Sequence, residues 1–154
     1  MMLQIKGSNA IVKRIAHTMI RCVDRDASID FYTKVLGMRL HRVVDYDAGR
    51  FSLIYLGYEP EENGPAVELT HNWDHNKRYQ LGDGYGHIAI TMSDMYAEAA
   101  RIESCGGKIT RPPGEMMDSG IHIAFVEDPD GYQIELIQTP FPPVDCAARD
   151  NGDV

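Results

Sequence analysis

Apolar and polar residues alternate along "IAHTMIRC": Ile15, His17, Met19 and Arg21 share one parity and Thr18, Ile20 and Cys22 the other, a period of two that predicts a strand. Asp24 follows as a suitable N-cap. Beyond it Ile29, Tyr32, Val35 and Leu36 recur at helical spacing, and Gly37 supplies the left-handed position that ends a helix. The whole pattern then occurs again. From His87, "HIAITM" alternates, Asp94 offers the next N-cap, and Gly106-Gly107 closes a second helical stretch. In both copies the Asp stands 7 residues after the His, and a Gly (Gly37 or Gly107) stands 13 after the Asp. Each copy continues through strand-like runs, "RFSLIYLGY" and "IHIAFVE", to a Glu bracketed by apolar residues, Glu68 in "AVELT" and Glu135 in "QIELI". The His-to-Glu separations are 51 and 48 residues, and the loop "GYEPEENGP" takes up the difference. "DPDG" carries Pro and Gly at the second and fourth positions of a type I turn, which predicts a hairpin.

One β-α-β-β-β unit therefore occurs twice. The expected organisation is an extension over residues 1–12, a first module over 13–80, a second over 81–139, and a Pro-rich then polar tail over 140–154 that is loosely held. The expected class is α+β, with two βαβββ modules forming a cupped mixed sheet and the helices outside.

Side-chain parity then sorts the chemistry. Glu135 and Gln133 oppose Tyr132, Ile134 and Leu136. Ala66, Glu68, Thr70 and Asn72 oppose Val67 and Leu69, and His87, Ala89 and Thr91 oppose Ile88, Ile90 and Met92. In these three strands the ligand-type residue shares its face with small or polar residues, leaving the apolar face to cover a helix. The strand of His17 follows the rule less cleanly, because Ile15 and Met19 lie on its ligand face. Arg21 lies on that face too, four residues on. Two carboxylates in a hollow cost several kcal/mol each unless a positive charge compensates them. Two neutral imidazoles and two carboxylates would balance a divalent cation, and such a donor set suits Ni²⁺, Co²⁺, Mn²⁺ or Fe²⁺. His17, Glu68, His87 and Glu135 are the candidate ligands. His71 and His75 in "HNWDH" have helical spacing in a loop-like stretch, and His41 and His122 belong to no pattern.

Composition narrows the partners. Of 154 residues, 15 are Lys or Arg and 23 Asp or Glu, a net charge of −8 that argues against general affinity for nucleic acid or an anionic membrane surface. Any anionic ligand needs a local basic group. Cys22, Cys105 and Cys146 are odd in number and lack CxxC spacing, which fits a reducing cytoplasm better than a disulfide framework. No apolar run approaches the length of a membrane span, so a soluble protein is expected.

Four segments, "SIDFYTKVLGM", "VELTHNW", "YGHIAI" and "EDPDGYQIELI", resemble the glyoxalase I (lactoylglutathione lyase) family of the vicinal-oxygen-chelate superfamily, in the same order and over about residues 14–138. The resemblance implies the glyoxalase/bleomycin-resistance/dioxygenase fold. It also implies a homodimer with active sites at the subunit interface, each grouping His17 and Glu68 of one chain with His87 and Glu135 of the other. His17, where the zinc-dependent branch usually carries Gln, implies Ni²⁺ or Co²⁺ in preference to Zn²⁺. Glutathione is the implied cosubstrate, with Arg21 and Asn72 at its γ-glutamyl end. A basic contact of larger relatives falls near Asp83 here, and Arg111 in "TRPPGE" is the candidate substitute. The implied reaction, serving methylglyoxal detoxification, isomerises the methylglyoxal–glutathione hemithioacetal to S-lactoylglutathione through an enediolate, with Glu135 as the base and Glu68 as its counterpart. The alternatives on the same fold are an acyl-CoA epimerase and a small-molecule-binding resistance module.

Overall fold

Each repeat folds into its own four-stranded mixed sheet. The computed structural model describes residues 13–141; the extension 1–12 and the tail from residue 142 onward, including the expectation that it is loosely held, lie outside the described residues. In the first unit, β1 (His17–Cys22), α1 (Arg25–Asp30), β2 (Arg39–Tyr46), β3 (Phe51–Gly57) and β4 (Ala66–Asn72) follow in order. In the second, β5 (His87–Met92), α2 (Met95–Ser104), β6 (Lys108–Glu115), β7 (His122–Glu127) and β8 (Gln133–Gln138) repeat the plan. The strand orders are β1-β4-β3-β2 and β5-β8-β7-β6, with β1 parallel to β4, β5 parallel to β8, and the remaining pairs antiparallel. The architecture is α+β. Among the described residues the two sheets share no ladder, so the mixed sheet expected from the sequence is two sheets rather than one continuous one.

The helix signals act as the sequence indicates. Asp24 accepts from the amides of Asp26 and Ala27, both at 3.0 Å, and Asp94 accepts from the amide of Ala97 at 3.0 Å. Such a cap contributes about 1 kcal/mol. Gly37 and Gly106 take the left-handed conformation, at φ 74° and 83°. Gly107 serves another purpose: a Cβ there would run into the Ile102 side chain and carbonyl and into Val35. The first helix departs from simple α geometry. After Asp30 it loosens into a π-helical turn, Phe31–Val35, closed by the Leu36 amide donating to the Phe31 carbonyl at 3.0 Å. The Thr33 hydroxyl donates to the Ile29 carbonyl at 2.7 Å, taking an acceptor of the regular ladder. Phe31, Tyr32, Val35 and Leu36 are all buried as a result, while Ile29 is only partly covered.

One core joins the two units. Ile54, Leu56 and Leu69 pack in the same cluster as Met95, Ile102, Ile134 and Leu136, all essentially inaccessible, and each such side chain is worth about 1.5–3 kcal/mol relative to exposure. The "DPDG" turn forms the predicted hairpin, with the Gly131 amide donating to the Asp128 carbonyl at 3.0 Å. It also fastens the units together. The Tyr32 hydroxyl donates to Asp128 at 3.0 Å, and the Val23 amide donates to Asp130 at 3.1 Å. Asp128 further accepts from the amides of Asp130 and Tyr132, at 3.0 and 2.8 Å.

Burial pushes the Asp128 carboxyl up from 3.8 to about 6 against the opposing pull of those donors. A carboxyl whose folded-state value is raised binds its proton more tightly in the native state. Its contribution is present in full below about pH 4 and lost as pH rises through about 6. Asp128→Asn keeps an oxygen for the two amides and removes the titration. In urea unfolding between pH 4 and 7, the stability difference should drift by about 2–3 kcal/mol in favour of the variant as pH rises. A constant difference would mean that Asp128 titrates normally.

Candidate metal and active site

Register places the four candidate ligands as two pairs. On β1 and β4, Met19 lies opposite Glu68 and His17 opposite Ala66, so His17 and Glu68 occupy one face, two positions apart along neighbouring strands. On β5 and β8, Ala89 lies opposite Glu135 and His87 opposite Gln133, the same offset. The His17 Nε2 to Glu68 Oε2 distance is 3.2 Å, and the His87 Nε2 to Glu135 Oε2 distance is 3.0 Å. In both pairs the carboxylate is buried, at 8% and 9% exposure, while the imidazole is open to solvent. Among the described residues no three His, Cys, Asp or Glu side chains converge as a metal cluster. Each sheet therefore carries one His–Glu pair.

The surroundings of the pairs are also repeated. Tyr55 lies opposite Glu68 on β3, and Phe125 lies opposite Glu135 on β7. Each ring meets its imidazole edge-on, Tyr55 to His17 at 5.8 Å and 73°, Phe125 to His87 at 5.4 Å and 77°. Both stand 38 residues after their His, a spacing that identifies the pair in the sequence and that the reading of ligand-type residues passed over. Beyond Tyr55, the Arg42 guanidinium lies 3.5 Å from the ring centroid and forms a two-pronged bond to Glu61, at 2.9 and 3.1 Å. Burial, and then the Glu68 carboxylate, raise the Tyr55 phenol, with Arg42 opposing. Ile15 and Met19, flanking His17 by parity, are 73% and 46% exposed. Apolar side chains exposed beside the His17–Glu68 pair leave a face suited to a covering surface.

Arg21 and Asn72 meet through a residue that the sequence reading missed. Asn72 donates to the Tyr79 hydroxyl at 2.9 Å, and the Arg21 guanidinium lies 5.9 Å from the Tyr79 ring centroid. Tyr79 in turn stacks on His75, centroids 4.1 Å apart. A cavity of about 250 Å³ lies between Met19, Arg21, Tyr79, Leu81, Tyr85 and Tyr132. No pattern in the sequence marks Tyr79, because it sits in an irregular segment. Arg111 is not part of this group. It lies opposite Phe125 on the other sheet and donates to the Glu115 carbonyl at 3.2 Å. His71 and His75 border a separate hollow with Asp24 and Trp73 and stand apart from the His–Glu pairs.

Residues 14–136 match the Glyoxalase/Bleomycin resistance protein/Dioxygenase superfamily. The chain belongs to that superfamily. Within it, relatives about half identical to this chain are named lactoylglutathione lyases. The probable lactoylglutathione lyase of Synechocystis sp. is 51% identical over 125 residues, which cover 81% of this chain and 95% of the relative. The lactoylglutathione lyase of Escherichia coli O157:H7 is 47% identical over 125 residues, covering 92% of its length. Glyoxalase I from Zea mays superposes with a TM-score of 0.80 at 44% identity, covering 84% of this chain and 46% of the maize chain. This superfamily member thus spans about half the length of the maize protein. The trypanothione-dependent glyoxalase I of Leishmania major superposes with a TM-score of 0.72 at 40% identity, covering 82% of this chain and 87% of that one.

Proposed function

We infer that this chain is a lactoylglutathione lyase, converting the hemithioacetal of methylglyoxal and glutathione to S-lactoylglutathione. The observation that carries the reading is the duplicated His–Glu pair, one on each sheet, in a chain about half identical to lactoylglutathione lyases. Residues 13–80 and 81–139 are taken as its two modules. The site is shared by two copies of the chain, His17 and Glu68 from one facing His87 and Glu135 from the other. The incompleteness of each pair and the exposed Ile15 and Met19 beside His17 support this arrangement.

The residues present fit a divalent cation. Glu68 and Glu135 are buried carboxylates, and among the described residues their only ion-pair partners are His17 and His87. Two neutral imidazoles with two carboxylates balance a 2+ charge, and His17, where the zinc-dependent branch usually carries Gln, supports Ni²⁺ or Co²⁺ over Zn²⁺. When bound, the ion would stabilise negative charge developing on the adjacent substrate oxygens. The chain's own groups supply the rest. The Glu135 carboxylate takes the proton from the substrate carbon bearing sulfur and returns it to the neighbouring carbon, so no net proton is gained or lost. Glu68 flanks the same substrate from the opposite side. The Arg21 guanidinium and the Asn72 amide bind the γ-glutamyl end of glutathione, and Arg111 is available to its other end. Arg21 provides the local positive charge that a chain of net charge −8 needs for an anionic thiol. The cytoplasm is the proposed location. Among the described residues Cys22 and Cys105 form no disulfide, and burial pushes the Cys22 thiol up to about 12, leaving it inert. No described helix is long and apolar enough to cross a membrane.

Chelator-stripped protein titrated with Ni²⁺, Co²⁺ and Zn²⁺ tests the activity. S-lactoylglutathione formation restored by Ni²⁺ or Co²⁺ and little by Zn²⁺ is expected. Metal-loaded protein without turnover would shift the reading to the epimerase or the binding module. Arg21→Ala should raise KM for the hemithioacetal by about tenfold or more with kcat within a few fold, consistent with loss of a charged hydrogen bond. An unchanged KM removes Arg21 from thiol recognition.

A further inference from the structure

The two half-sites share a plan but differ in what holds their carboxylates. Across the β3–β4 pairing Glu68 faces Tyr55, whose hydroxyl-bearing ring is 7% exposed and capped by Arg42 at 3.5 Å. Two residues on, the Thr70 hydroxyl reaches a Glu68 oxygen at 3.4 Å. Every counterpart in the other half is apolar or turned away. Phe125 faces Glu135, Ile137 stands where Thr70 stands, and Arg111 bonds to the Glu115 carbonyl instead of covering the ring. Among the described residues, the only side chain in hydrogen-bond or ion-pair contact with Glu135 is that of His87.

We propose that Tyr55, buttressed by Arg42, is a positioning residue that holds Glu68 as a standing ligand, and that Phe125 at the matching place leaves Glu135 free to move and carry the proton. The proposal rests on the reading above that both carboxylates serve one metal site. A carboxylate facing a hydroxyl donor must give up that partner before it can swing, and it is a poorer base while it keeps it. The duplicated sheet makes the two acids alike in place and unlike in freedom. The Tyr55 hydroxyl, with that of Thr70 beside it, then decides which of them works as the base.

Exchanging that hydroxyl tests the idea. In Ni²⁺-loaded protein, Phe125→Tyr should lower kcat at least about tenfold while KM stays within about twofold. Tyr55→Phe placed in a Glu135→Gln background should raise the residual rate at least about tenfold, because Glu68 is released to act. Titration with Co²⁺ gives a readout that needs no turnover: Tyr55→Phe should weaken binding by about tenfold and change the visible absorption band of the bound ion. Wild-type and Tyr55→Phe proteins with superimposable Co²⁺ spectra and equal affinities would overturn the proposal. A wild type that binds Co²⁺ yet turns over no hemithioacetal would count against the lyase reading alone, since the Co²⁺ comparison still decides whether Tyr55 holds Glu68.

Discussion

Glu135→Gln should abolish turnover, with a fall in kcat on the order of 10³-fold or more while the protein remains folded. The substitution is close to isosteric and keeps an oxygen at the site, so it removes the proton acceptor with little change of shape. General base catalysis contributes roughly 10²–10⁴-fold, and here the same group must both take and return the proton. Glu135 is 9% exposed and lies 3.0 Å from the His87 Nε2, a setting that no bulk water molecule can easily substitute. Glu68→Gln should leave a weaker residual rate, because its removal costs a ligand but not the mobile base. Initial rates of S-lactoylglutathione formation at saturating substrate give the comparison. Near-normal activity in the Glu135 variant would remove that residue from the role.

The second large effect concerns ownership of the site. His17→Ala and His87→Ala chains should each be inactive alone, since every site in either dimer lacks one imidazole. Mixed under conditions that exchange subunits, they should recover about a quarter of wild-type activity: half of the dimers are mixed, and each mixed dimer carries one intact site of two. A site completed within one chain would give no recovery at any ratio. Rates measured against the mixing ratio, with sedimentation to follow dimer content, separate the two outcomes.

Much of this is legible in the sequence itself. Parity along "HTMIRC" and "HIAITM" put His17 and His87 on defined faces, and the repeat paired each with its Glu, because strand pairing fixes register and register fixes face. The N-caps Asp24 and Asp94 and the left-handed Gly37 were equally plain, since each answers a local backbone need, and of the pair Gly106-Gly107 it is Gly106 that takes the second left-handed position. Three things were not. The π-helical turn at Phe31–Val35 depends on the core that receives Phe31 and Tyr32 and on the Thr33 hydroxyl, and neither leaves a periodic trace. Tyr79 reaches Asn72 from an irregular segment, where no period assigns a direction to a side chain. The division of the strands into two sheets follows from which strand edges meet in space. The clasp at Asp128 and Asp130 was visible only as a turn signal, and its hold on Tyr32 and Val23 crosses 96 and 107 residues of chain.

The duplicated His–Glu pair also bears on how such a protein can diverge. In the shared-site arrangement one gene writes both halves of every centre, so a substitution at His17 or Glu135 strikes both centres of the assembly at once and no working copy survives beside the damaged one. The two centres are bound to remain identical. A polypeptide of roughly double length, such as the maize chain of which this one covers 46%, escapes that constraint if it encodes each half twice. Its centres can then be inherited separately, one conserved while the other drifts toward a new substrate or falls silent.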